Sequence, residues 1–175
     1  MTTNQFYKET TPLSVYVTNL EEYVKGNLVG EWISLPIEKS NFEDFLKTIG
    51  NPEEIAIHDY EDNLGLDGLV IGEYMSLQEL NELGERIENI AISEVDTLNA
   101  LYEALGDFEE TLKCFESGDY VYYGDMTLEE IAKEHIEETY DIPNGLKNYI
   151  DYKAIARDMR CDSYYETEYG TIEIL

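Results

Sequence analysis

The residues that could carry chemistry are two histidine–carboxylate neighbours, His58-Asp59 and His135-x-x-Glu138, and an acidic run at Asp59, Glu61 and Asn63. A zinc hydrolase of the common type needs two histidines one helical turn apart with a glutamate as base, and no H-E-x-x-H is present. His135 falls on the apolar stripe of its predicted helix, where a hydrogen-bonded structural role outweighs ligation, and His58 in a predicted strand reads the same way. Asp59, Glu61 and Asn63 match positions 1, 3 and 5 of a calcium loop. Position 6, which needs glycine for its sharp turn, is Leu64, and position 12 is Val70 instead of a bidentate glutamate. Carboxylates are so abundant that no pair stands out as an acid/base couple, and no G-x-S-x-G, P-loop or dinucleotide fingerprint occurs. The reading is a protein that is not an enzyme and holds no metal or cofactor.

The charge is the outlying quantity: 39 acidic against 11 basic residues give −28 over 175 residues. Such a charge repels itself and destabilises any compact state. Yet 43% hydrophobic and 12% aromatic content suffices for folded cores, so the chain is not read as disordered. Fifteen tyrosines could stack on bases, but the negative field repels nucleic acid and no basic groove accompanies them, so no direct nucleic-acid partner is expected. Cys114 and Cys161 lack metal-type spacing and read as reduced thiols. The opening MTTNQFYKETTP has neither a basic start nor an apolar core, and no run approaches membrane-spanning length, so a cytoplasmic protein of the host cell with no membrane partner is expected.

The elements that must position this charge predict an α+β fold: an elongated chain of three small domains. Residues 1–12 read as a frayed lead-in. In 13–72, S-V-Y-V-T-N-L and L-V-G-E-W-I-S-L (Leu28–Leu35) predict strands of a hairpin, separated by a turn at Glu21–Asn27. Ser40 and Glu43 have the form of a capping box before a helix, and E-I-A-I-H-D-Y predicts a third strand, making a β-β-α-β unit. In 73–113, helices headed by Ser76/Glu79, Ser93/Asp96 and Asp107/Glu110 predict a small central helical domain. In 114–175, Asp119–Gly124 is a short strand or an aromatic loop, and Thr127/Glu130 opens a helix running to Pro143. A restart at Asn144–Gly145 has Leu146, Tyr149 and Ile150 facing inward, Asp151 heads a last helix, and Y-Y-E-T-E-Y-G-T-I-E-I-L forms one or two strands.

The three segments carry nets of −9, −9 and −10, so the acidity is a property of the whole body and not of a tail. At one charge per about 1.7 Å of duplex axis, 28 charges correspond to roughly 48 Å of DNA. A compact globule of this length has a radius of gyration of about 16 Å. An extended chain of domains would relieve the repulsion and could occupy a groove built for phosphates.

From Met126 to Met159 the chain resembles the antirestriction motif of the ArdA family, phage- and transposon-borne proteins that imitate DNA. The resemblance lies in I-E-E-T (Ile136–Thr139), in Y-I-D-Y (Tyr149–Tyr152) and in Arg157-Asp158. It extends to V-Y-V-T-N-L, L-V-G-E-W-I-S-L-P and A-I-H-D-Y (Ala56–Tyr60), and so to most of the chain from Val15. It departs from related sequences at Ala156 and near Tyr140, where glycine is common. The resemblance implies three domains in a curved arrangement and a homodimer, with Tyr149 and Tyr152 as possible dimer contacts. It also implies inhibition of type I restriction-modification enzymes at the DNA channel of their specificity and methyltransferase subunits.

On this reading the DNA-mimic surface comprises Glu79, Glu82, Glu85, Glu88, Glu103, Glu109, Glu110, Glu129, Glu130, Glu134, Glu137, Glu138, Asp141, Asp151 and Asp158. The alternative is an acidic interaction protein directed at another DNA-binding partner, a nucleoid protein or a CRISPR effector.

Overall fold

A computed structural model describes residues 4–175, and the chain divides into two compact units, 1–92 and 93–175. In the first, β1 (Leu13–Asn19) lies between β2 (Gly30–Leu35) and β3 (Ile55–Asp62), antiparallel to both. The central strand β1 is buried at every position but Tyr16. Its register with β3 steps from Tyr16↔Asp59 to Val17↔Ile57, a bulge that leaves His58 as the extra residue.

The segment expected as a turn at Glu21–Asn27 begins as a short helix, α1 (Leu20–Val24), because the Asn19 side chain caps it by accepting from the Glu22 N–H. The helix α2 (Phe42–Thr48) forms as expected, but Ser40 does not cap it: Lys39–Asn41 is a 3-10 turn, and the Ser40 hydroxyl donates to Glu38 at 3.4 Å. Phe45 of α2 is fully buried, edge-on to Phe6 with ring centroids 5.5 Å apart.

The part of the expected lead-in at 1–3 lies outside the described residues. The rest is docked and not frayed. Asn4 donates to the Trp32 carbonyl at 2.7 Å, Phe6 accepts from the Ser34 N–H, and the Tyr7 hydroxyl donates to Glu61. Its aromatic rings bury apolar area that the polar composition of the segment conceals.

The expected central helical segment is apportioned between the two units. The helix α3 (Leu77–Ile87) buries Leu77, Leu80, Asn81, Gly84 and Ile87 in the first. Its capping box, Ser76 with Glu79, forms in both halves. The helices α4 (Val95–Leu105) and α5 (Phe108–Ser117) pack in the second with the sheet β4 (Tyr120–Tyr122), β6 (Gly170–Ile174) and β5 (Tyr164–Thr167), in the order β4-β6-β5. Leucine-faced helices this short have no stability alone, and each takes the nearest sheet as its partner. Ser93 caps nothing: Ile92–Glu94 is a 3-10 turn leading into α4, whereas Asp107 does cap α5 by accepting from the Glu110 N–H at 2.9 Å. The helix α5 ends on Gly118 at φ +73°, a left-handed position that glycine takes without steric cost.

The remaining helices of the second unit are α6 (Leu128–Thr139), opened by the Thr127/Glu130 capping box, and α7 (Tyr152–Met159), capped by Asp151. They close on a cluster of Leu128, Ile131, Ala132 and Ala156. His135, placed by the sequence on the apolar stripe of α6, is exposed and not on a buried face: the buried stripe is Leu128, Ile131 and Ala132 in the first half of the helix. The expected restart after Pro143 is only a 3-10 turn at Lys147–Tyr149, too short to bury a face, and it leaves Leu146 at 57% and Tyr149 at 85% exposure.

Candidate functional site

Fourteen of the fifteen carboxylates named from the sequence are exposed, and Glu137 is half-buried. Helical periodicity puts them there: where one stripe of a helix is committed to the core, the charged positions are left outside. On α3, Glu79, Glu82, Glu85 and Glu88 stand on the solvent side in the first unit. Glu82 accepts from Gln78 and Glu85 from Asn81, both at 2.9 Å, and Glu79 closes its cap by accepting from the Ser76 N–H at 2.9 Å. That backbone hydrogen bond holds the Glu79 carboxyl below its ordinary range.

In the second unit, Glu103 of α4 accepts from the Glu168 N–H at 2.8 Å, and Glu109 and Glu110 occupy the first turn of α5. Glu129 and Glu130 occupy the first turn of α6, where carboxylates are favoured by the helix dipole. Glu130 is held below its ordinary range by the Thr127 N–H, which it accepts at 2.9 Å. Glu134 and Glu138 follow Glu130 along α6, while Asp141, Asp151 and Asp158 continue the exposed acids to α7.

The carboxylates of α6 have different fates. Glu137 pairs with Lys147 at 3.0 Å and accepts from the Tyr152 hydroxyl at 3.3 Å, and the lysine is the main reason its carboxyl is pushed down. Tyr152 is therefore half-buried and committed within its own unit, unlike Tyr149. Glu130, Glu134 and Glu138 recur at i, i+4 and i+8, a spacing that repels along the helix.

The candidates for other chemistry are dispersed. His58 meets Thr18 Oγ1 through Nδ1 at 3.2 Å and the Tyr23 ring at 4.5 Å. Glu61 receives the Tyr7 hydroxyl, and Asn63 donates to the Thr11 carbonyl at 2.8 Å. The Asp62 carboxylate accepts from the N–H groups of Leu64, Gly65 and Leu66, so it closes a loop with its own backbone. Among the described residues no group of three or more His, Cys, Asp or Glu could hold a metal ion. Nor is any helix among them long and apolar enough to cross a membrane.

The second unit also holds a basic cluster. Lys153, Arg157 and Arg160, at i, i+4 and i+7, line a cleft of ≈ 400 Å³ with Thr127, Leu128, Glu129, Ala156 and Glu166. Their spacing is legible in the chain, but the net charge of −10 over residues 114–175 masks it.

The family model for the antirestriction protein ArdA matches residues 15–173. No curated protein matches the chain.

Proposed function

The chain belongs to the ArdA family of antirestriction proteins, and from that premise we propose that it is a DNA mimic. It inhibits type I restriction-modification enzymes by occupying the DNA channel of their specificity and methyltransferase subunits with its acidic surface, without any reaction. The observation that supports this is the distribution of the charge. Residues 1–92 carry 18 acidic and 5 basic side chains and residues 93–175 carry 21 and 6, so both compact units are strongly negative, at −13 and −15. The acids lie outside two ordinary cores. Carboxylates in place of phosphates meet the target's lysines and arginines and release counterions, which makes the binding steeply dependent on salt.

The active form is a homodimer in the cytoplasm of the host cell. Tyr149, with Tyr140 and Leu146 nearby in sequence, offers an exposed apolar group for that contact. Tyr152 supports the segment through Glu137. The function is tested by competition: the protein displaces duplex DNA from a type I methyltransferase at low salt, and displacement fades as salt rises. A failure to displace at low salt rejects the reading.

A further inference from the structure

The second unit gathers three of its six basic side chains in one place beside α7. In a chain where carboxylates outnumber cations 39 to 11, Lys153, Arg157 and Arg160 share one cleft beside α7. Arg160 is paired with Glu166, whose other oxygen lies 3.5 Å from the Leu128 N–H at the start of α6. Lys153 and Arg157, both exposed, stand one helical turn apart, where like charges repel. The flank of α6 turned toward this region is marked by Glu129, which lines the cleft. At 100° per residue Glu130, Glu134 and Glu138 lie about 100°, 140° and 180° around the helix from Glu129, progressively away from the cleft.

We infer that this unit meets a cationic cleft in one orientation, with the Lys153–Arg157–Arg160 notch turned away from the target and left in solvent. The inference rests on the mimicry proposed above. A surface lined with lysine and arginine attracts the Glu130–Glu134–Glu138 flank and repels the notch, so the two flanks act as a dipole that orients the unit during encounter. The notch is thus a face excluded from the contact in a protein whose surface is otherwise suited to it.

Cys161 supplies a natural probe, because it is exposed and its thiol donates to the Arg157 carbonyl at the margin of the notch, whereas Cys114 is half-buried. The test measures displacement of duplex DNA from a type I methyltransferase by the wild-type chain, by K153Q/R157Q, by E134Q/E138Q and by chain carrying a bulky maleimide on Cys161. Circular dichroism confirms that each is folded. The expected result is half-displacement within about twofold of wild type for K153Q/R157Q and for the labelled chain, with E134Q/E138Q several-fold weaker. Wild-type displacement together with a tenfold loss in folded K153Q/R157Q, or in the labelled chain, overturns the orientation. Absence of displacement by the wild type rejects the mimicry and removes the orientation with it.

Discussion

Asn81 Oδ1 accepts the backbone N–H of Ile37 at 2.8 Å, and this buried contact ties α3 to the residues that follow β2. Asn81→Leu leaves that N–H without its partner, at a cost of about 1–3 kcal/mol. Urea unfolding should show the loss in the transition of the first unit, with the second unit's signal unmoved.

One turn further along, Gly84 has its backbone against the chain beyond β2. A Cβ there would stand 2.8 Å from Leu35 Cβ and 3.0 Å from Pro36 N. Alanine raises helix propensity by about 1 kcal/mol, but overpacking a buried contact costs about 1–3 kcal/mol. The obstructing atoms include backbone, so overpacking wins. Gly84→Ala should lower the melting temperature of the first unit.

Thr127 and Glu130 close α6 reciprocally. Thr127→Ala should cost about 1 kcal/mol, read as earlier thermal loss of helical signal. Thr127→Ser should restore most of it. The carboxyls of Glu79 and Glu130 are depressed in the folded state by the backbone N–H groups they accept. Their contribution is therefore present above the ordinary carboxylate range and lost as pH falls through their folded values. Glu130→Gln, which keeps the cap, should flatten the acid limb of the stability profile.

Tyr123 and Tyr164 are pushed above the ordinary phenol value, by burial first and then by the Glu173 carboxylate, which accepts the Tyr123 hydroxyl at 2.9 Å. A raised folded value means the native state keeps a proton that the unfolded chain releases. Stability is accordingly full below about pH 10 and declines as pH rises above it. Phenolate absorbance should show a late-titrating fraction that shrinks in Tyr164→Phe.

If the acidic surface binds as a whole, single exposed acid-to-amide changes at Glu82, Glu88 or Asp158 should each alter displacement by no more than about fivefold. Neutralising Glu82, Glu85 and Glu88 together should have a larger effect. A single one of these changes that abolished displacement would count against distributed binding.

The sequence by itself determined the class, most of the elements and the family. The apolar stripes on α3 to α6, the Ser76/Glu79 and Thr127/Glu130 caps and the alternation in β1 and the C-terminal strands are local patterns, legible wherever propensity and packing agree. Total charge needs no structure at all. What the tertiary structure decided is nonlocal. Asn4, Phe6 and Tyr7 dock because Trp32, Ser34 and Phe45 give them a surface, which a polar lead-in does not announce. The helix α3 joins the first unit because Asn81 and Gly84 fit against Leu35–Ile37, although its leucine stripe could have served a helical domain equally well. His135 and Tyr149 are exposed because the packed stripe of α6 ends at Ala132 and the segment at Lys147–Tyr149 is only a single 3-10 turn. The same holds for the candidate surface. Periodicity determined which carboxylates face outward, but only the packing of α6 on α7 separated the Glu130–Glu134–Glu138 flank from the Lys153–Arg157–Arg160 notch, since the sign of a face depends on which helices share it.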